Sequence, residues 1–247
     1  MDLLLLLGLV AVGSVLGLVG GVAFLVNEKL KNILCRYSTP FAAGILITVA
    51  LLDLIPEAVE HNGELGYLYV LVSFFIVFSF EHLFFRVHHH ESDKKDINAG
   101  TASLVIAGDT IHNFIDGVAI AAAFVVDPTL GLVVAISTFL HEVPHEIGDF
   151  GVLLAAGWKK MNIFLANFAS ACSTFLGALV VYFFAQNNDA LIGVLMAISG
   201  GLFLYLGASD FLPSAGDEDS KGTKVIAVIF GATVMIFVTL MVPHVHG

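Results

Sequence analysis

The chain has 247 residues, of which 58% are hydrophobic and 13% charged, with a formal net charge of -11 and a mean hydropathy of +0.94. Soluble domains run near half apolar and a quarter charged, so a soluble globular domain is excluded. Nucleic-acid binding is excluded as well, because there is no basic stripe and no phosphate loop, and the two distant cysteines, Cys35 and Cys172, suggest neither a disulfide framework nor a thiolate cluster.

Apolar runs recur at the length a bilayer core demands, about twenty residues at about 1.5 Å rise per residue. They are too long and too continuously apolar for transmembrane strands. The expectation is an all-α polytopic membrane protein of eight transmembrane helices, with spans at 2–26, 40–59, 67–87, 99–126, 129–157, 161–186, 190–213 and 222–243. The connections leave no room for another domain, so residues 1–247 read as a single transmembrane domain with a His-rich loop at 88–98, cytoplasmic by the charge pattern below.

Span 1 lacks the basic leader of a signal peptide and outruns its apolar core, so it reads as a membrane helix. Its glycines from Gly13 to Gly21, like Gly200-Gly201 in span 7, fit close helix packing in lipid. Span 2 carries Asp53-Leu54-Ile55-Pro56-Glu57-Ala58 near its outer end, and span 7 carries Asp210-Phe211-Leu212-Pro213-Ser214-Ala215 near its inner end. One Asp-x-x-Pro-x-Ala element in two oppositely running spans is inverted-repeat geometry, which in transporters brackets a midplane site with two related gates. Asp53 and Glu57 would then line the outer entrance and Asp210 the inner exit. Glu81-His82 closes span 3, and His88, His89 and His90 with Glu91 and Asp93 form a loop suited to catching metal.

All ten basic residues lie in or beside the connections that follow odd-numbered spans: Lys29, Lys31 and Arg36; Arg86, Lys94 and Lys95; Lys159 and Lys160; Lys221 and Lys224. The positive-inside rule then puts those connections in the cytoplasm and both termini outside, extracellular or periplasmic, in a plasma or inner membrane. Nine carboxylates lie within the spans without a basic partner there: Asp53, Glu57, Glu81, Asp109, Asp116, Glu142, Glu146, Asp149 and Asp210. An ionisable group at membrane depth costs several kcal/mol, and a cation path is the economical explanation for a set of them.

Spans 4 and 5 concentrate this chemistry. Asp109, His112, Asn113 and Asp116 recur at three- and four-residue steps on one face of span 4, and His141, His145 and Asp149 recur at steps of four on span 5, as do Glu142 and Glu146. Only Val126, Asp127 and Pro128 separate the spans, so they are antiparallel neighbours. His112 and His145 then meet roughly 18 to 20 Å from the cytoplasmic face. Imidazole and carboxylate ligands converging there suit a divalent transition metal. Pro144 lacks an N–H and is expected to open the helix around Leu140.

His112-Asn113-Phe114-Ile115-Asp116-Gly117 followed by His141-Glu142-Val143-Pro144-His145-Glu146-Ile147-Gly148-Asp149-Phe150 resembles the ZIP family of metal transporters, in its LIV-1-like branch. The resemblance implies uptake of divalent metal into the cytoplasm, with Zn2+ chiefly, or iron, manganese or cadmium, as transported substrate. It implies no catalytic cofactor and no enzyme activity, a lipid bilayer and metal ions as partners, and it admits a homodimer. It also implies a binuclear metal centre on His112, Asn113, Asp116, His141, Glu142 and His145. The primary site would use His112, Asp116, His141 and His145, and its neighbour Asn113, Asp116, Glu142 and His145, with Asp53, Glu57, Asp109, Glu146, Asp149 and Asp210 along the pathway. Relatives often add an acidic or polar ligand from span 6, where this chain offers Asn167, Ser170 or Ser173. Many also carry an extracellular domain before span 1, so this chain looks like the minimal, microbial form. Spans 1–3 and 6–8 would be the inverted repeats around spans 4 and 5, a 3+2+3 arrangement.

A rival reading is an intramembrane zinc metalloprotease, because His141, Glu142 and His145 also satisfy the HExxH pattern, with Glu142 activating a zinc-bound water and Asp116 as third ligand. Pro144 inside the motif and the second carboxylate stripe weigh against it. A metal-sensing or structural membrane protein is a third reading, which the His-rich loop permits.

Overall fold

The computed structural model describes residues 2–26, 28–84, 99–216 and 221–242. Its helices are α1 (Leu3–Gly13), α2 (Val19–Val26), α3 (Glu28–Val49), α4 (Ile55–Asn62), α5 (Leu65–Phe84), α6 (Ala99–Val126), α7 (Pro128–Ala155), α8 (Lys160–Ala171), α9 (Ser173–Val180), α10 (Asp189–Tyr205) and α11 (Lys221–Met241). Among the described residues six helical stretches are long and apolar enough to cross a membrane: Ile33–Asn62, Leu65–Leu83, Ala102–Val126, Lys160–Ala185, Asp189–Gly216 and Gly222–Met241. The chain is an all-α, multi-pass integral membrane protein.

Two expected spans are missing from those six for separate physical reasons. At 28 residues, α7 is long enough to reach about 42 Å, but its stripe of His and carboxylates lowers its hydropathy. Span 1 divides into α1 and α2 at residues 14–18. There the Ser14 hydroxyl donates to the Val10 carbonyl at 2.9 Å and Gly17 lies against the Glu142 side chain, where a Cβ would come within 2.6 Å of Glu142 Cβ. Span 2 also starts earlier than its expected residue 40: α3 runs through Pro40, which sits inside the helix rather than at its start. Pro144 likewise lies within an uninterrupted α7, so the loss of one backbone donor does not open the helix there.

Wider turns occur instead just ahead of Pro56 and Pro213. Residues Ala50–Leu54 form a π-helical turn in which the Ile55 N–H donates to the Ala50 carbonyl. Leu206–Phe211 form another, in which the Leu212 N–H donates to the Gly207 carbonyl. In both cases the residue before the proline bonds five residues back; a third such turn, Val181–Ala185, has no proline after it, so proline alone does not set this geometry.

The hairpin of α6 and α7 turns on Asp127, whose carboxylate caps α7 by accepting from the Thr129 N–H at 2.6 Å, with Pro128 at the first helical position. α1 and α2 pack on α7, and α8 and α9 on α6; α3 packs along α11, and α10 along α5 and α4. In lipid no hydrophobic force draws helices together, so close backbone approach at small residues does that work. A Cβ at Gly117 would strike the Thr174 carbonyl and one at Gly177 the Phe114 carbonyl, locking α6 to α9. Gly44 and Gly231 make the same reciprocal contact between α3 and α11. Leu68 and Phe75 on α5, and Ile229 and Phe237 on α11, are exposed and form an apolar outer surface. The expected metal-catching loop of His88, His89, His90, Glu91 and Asp93 lies outside the described residues.

Candidate metal centre

Helical periodicity puts one His and one carboxylate of α6, His112 and Asp116, across from one of each on α7, His141 and Glu142. All four are buried, and one ligand atom from each lies within 4.8 Å of all the others. The pairs cross between the helices: His112 Nε2 is 3.2 Å from Glu142 Oε1, and His141 Nε2 is 3.2 Å from Asp116 Oδ2. Within each helix the separations are longer, 3.7 Å for His112 to Asp116 and 4.0 Å for His141 to Glu142.

These atoms converge more than they pair. Both ring nitrogens of His112, both oxygens of Glu142 and Oδ1 of Asp116 are buried without a hydrogen-bond partner, although such atoms cost about 1–3 kcal/mol each when left unsatisfied. His141 sharpens the point, since its Nδ1 is 2.9 Å from the Ser137 carbonyl oxygen. A carbonyl can only accept, so Nδ1 carries the hydrogen, and Nε2 is left facing the Asp116 carboxylate. Two electron-rich atoms 3.2 Å apart call for a proton or a metal ion between them.

His145 sits beside this group. Its ring stacks on that of His112, with centroids 4.5 Å apart and planes at 17°, and its ligand atom groups with Asp109 and Asp149. The candidate ligands thus lie as His112, Asp116, His141 and Glu142 in one group and Asp109, His145 and Asp149 in another, with His145 adjoining both. Asn113 bridges elements: its Nδ2 donates to Asp109 Oδ1 at 2.9 Å, and its Oδ1 accepts from Thr174 on α9 at 3.0 Å. Of the span 6 candidates, the Ser170 hydroxyl donates to Thr110 Oγ1 and the Ser173 hydroxyl to the Thr110 carbonyl, while Asn167 Nδ2 donates to the Ile163 carbonyl. Glu146 is buried with neither oxygen bonded.

A cavity of about 490 Å³ lies between α5, α6, α7 and the α10 segment. Glu81, Asp109, His112, His145, Asp149 and Asp210 are its polar lining. It leads from the His112–His145 stack toward the ends where α5 stops and α6 starts. Asp53 and Glu57 are buried, at 0% and 3% exposure, and Asp53 Oδ2 accepts from the Thr239 hydroxyl at 3.1 Å.

Sequence reasoning missed several residues that shape the site. Phe203 packs edge-on against His141 at 5.1 Å and Phe211 tilts against His145 at 5.6 Å; inside an apolar run they carry no signal. Ser137, one helical turn before His141, was detectable by spacing, whereas Thr174 and Thr239 act across the fold.

The comparisons agree with this chemistry. The profile described as ZIP Zinc transporter matches residues 97–239, more than half of the chain, including all of α6 and α7. The chain is 36% identical over 165 residues to zinc transporter ZIP10 of Mus musculus, covering 62% of this chain and 20% of that protein. It is 40% identical over 111 residues to zinc transporter ZIP4 of Homo sapiens (45% and 17%), and 37% identical over 116 residues to metal cation symporter ZIP8 of Rattus norvegicus (47% and 25%). The chain thus spans about a fifth of the length of the curated relatives it matches. These relatives are named as transporters, which leaves the metalloprotease reading of His141, Glu142 and His145 without support. With a matching profile over α6 to α11 and a buried His and carboxylate cluster on the matched hairpin, the chain belongs to the ZIP family.

Proposed function

We propose that this chain carries divalent transition metal, zinc first, across a membrane into the cytoplasm, by way of the buried cluster on α6 and α7. The observation that carries the reading is the convergence of unpartnered His and carboxylate atoms at membrane depth, in helices that contain no Lys or Arg. Two carboxylates balance a dication and two neutral imidazoles complete a four-ligand set of the kind zinc favours. His112, Asp116, His141 and Glu142 would hold the ion, His145 would border it on the cavity side, and Asn113 would orient Asp109 while offering its carbonyl oxygen at the edge. The aromatic covers Phe203 and Phe211 would exclude water and so strengthen the charge interactions inside.

The cavity that Asp210 lines and the burial of Asp53 and Glu57 support a carrier open toward one face and shut toward the other. Basic residues confined to the ends of odd-numbered spans support a cytoplasmic location for the open face and outward termini. Eight spans in a 3+2+3 arrangement are supported by paired features. The π-turn and proline recur in the second and seventh spans. Contacts of α3 with α11 match those of α10 with α5, and contacts of α1 and α2 with α7 match those of α8 and α9 with α6.

The test is zinc uptake by proteoliposomes containing a zinc-sensitive dye, with inserted orientation determined. The native chain should deliver zinc to the lumen, and His141→Ala and the Asp116→Ala, His145→Ala double variant should not, at equal incorporation. Zinc that binds yet never reaches the lumen, or uptake unchanged in the double variant, overturns the reading. Protons compete for the same lone pairs, so zinc binding should weaken as the pH is lowered.

A further inference from the structure

We infer that the 490 Å³ cavity is also a binding site for a lipophilic cation, an apolar chain ending in an amine, which enters from the bilayer between α5 and α6 and seats its ammonium group at Asp109 and Asp149. That such a molecule also stops zinc uptake rests on the transport reading above; the binding site does not.

The lining gives the first support. Ile76 and Phe80 of α5, Ile111 and Ile115 of α6, and Leu206 beyond α10 make one side of the cavity apolar. Its carboxyl groups, those of Glu81, Asp109, Asp149 and Asp210, have no Lys or Arg on α5, α6, α7 or α10 to pair with. A mostly apolar pocket with a few convergent polar groups takes a ligand by its body and orients it by its head. Carboxylates accept, so the matching head is a donor that carries positive charge.

The second support is the way in. Ile76 is 62% exposed and Ile111 47%, and they stand near the middle of Leu65–Phe84 and Ala99–Val126. The lining therefore reaches the surface at the depth of the acyl chains. α5 packs along α10 and α4, and α6 along α7 and α9, which leaves a seam between α5 and α6. A chain that slides in from the bilayer trades one hydrocarbon neighbour for another. The tail thus supplies entry, and the head supplies the preference for this site.

The seat for the head is the third support. Asp109 is 4% exposed, and its Oδ2 and the Oδ2 of Asp149 are buried without a hydrogen-bond partner. One carboxyl oxygen of each lies within 4.8 Å of the other, a gap that one ammonium group bridges by donating to both. A head held there lies between the His112–His145 stack and the far end of the cavity, so an ion leaving the cluster by that route meets it.

Photolabelling of the native full-length chain in proteoliposomes tests the site. The probes are dodecylamine and dodecanol, each with a diazirine midway along the chain, and the labelled residues are read by mass spectrometry. The amine should label Ile76 and Ile111 about tenfold more than the alcohol does, because attraction to the carboxylates is strong where water is excluded; both should label Phe237 on the outer surface of α11 equally. Equal labelling of the cavity by the two probes means that any acyl chain fills it, and overturns the inference, as does amine labelling confined to α11. Asp149→Asn should cut the amine labelling about tenfold and leave the alcohol's unchanged; amine labelling that survives it overturns the assigned seat. Dodecylamine should also inhibit zinc uptake at about a tenth of the concentration that dodecanol needs, and Ile111→Trp, which fills the seam, should relieve both the labelling and the inhibition. Undiminished uptake with the amine bound overturns the block alone. A chain that labels as expected yet delivers no zinc without the amine overturns the transport reading and leaves the site standing.

Discussion

The Asp53 and Asp210 elements have the same local chemistry and opposite surroundings. Each places an aspartate three residues before a proline, and each precedes that proline with a π-turn closed by a bond five residues back. Yet Asp53 is fully buried and accepts a hydrogen bond from Thr239 on α11, whereas Asp210 is exposed and lines the open cavity with Glu81. The two elements share a backbone turn, and they differ in what the neighbouring spans present to each aspartate. On the Asp53 side a neutral hydroxyl, that of Thr239, donates to one carboxylate oxygen; on the Asp210 side a second carboxylate, that of Glu81, lines the same cavity.

The largest expected difference between the two elements is chemical access. In a background with Cys35 and Cys172 replaced by Ser, a polar thiol reagent should modify Asp210→Cys about 100-fold faster than Asp53→Cys, because the latter must wait for local opening. Equal rates would dissolve the contrast. Asp53→Ala should lower zinc uptake about tenfold, since a buried carboxylate at a constriction is met by every ion that passes. Removing only its partner should do less: Thr239→Val takes away one buried hydrogen bond, and unfolding in detergent should report a loss of about 1 kcal/mol. Asp210→Asn should slow uptake about threefold, corresponding to the roughly 0.6 kcal/mol of a solvent-screened charge. A reversed order between Asp53 and Asp210 would mean that the rate-limiting barrier lies at the cavity.

Residues whose partners lie one or two helical turns away were legible beforehand. The stripe of Asp109, His112, Asn113 and Asp116 and that of His141, His145 and Asp149 follow from helical spacing, and the three-residue connection at Asp127 forces them side by side. The repeated Asp-x-x-Pro element was legible too, as was close packing at the glycines from Gly13 to Gly21, four of which meet α7. The break at residues 14–18 was not, because an apolar, glycine-rich run reads equally well as one helix or two. Thr174, Thr239 and Phe203 were invisible for another reason: their partners Asn113, Asp53 and His141 lie on other elements, and no local pattern encodes that distance.

The sequence by itself determined the solvent, the helical class and the face of each hairpin helix that carries metal-binding chemistry, because hydropathy and periodicity are properties of neighbouring residues. Only the tertiary structure decided which candidate side chains come together, with Glu142 beside His112, Asp116 and His141, and His145 near Asp109 and Asp149 as well as stacked on His112. That arrangement depends on the separation and rotation of α6 relative to α7, and contacts such as Gly117 on Thr174 and Gly17 on Glu142 set them from outside the hairpin.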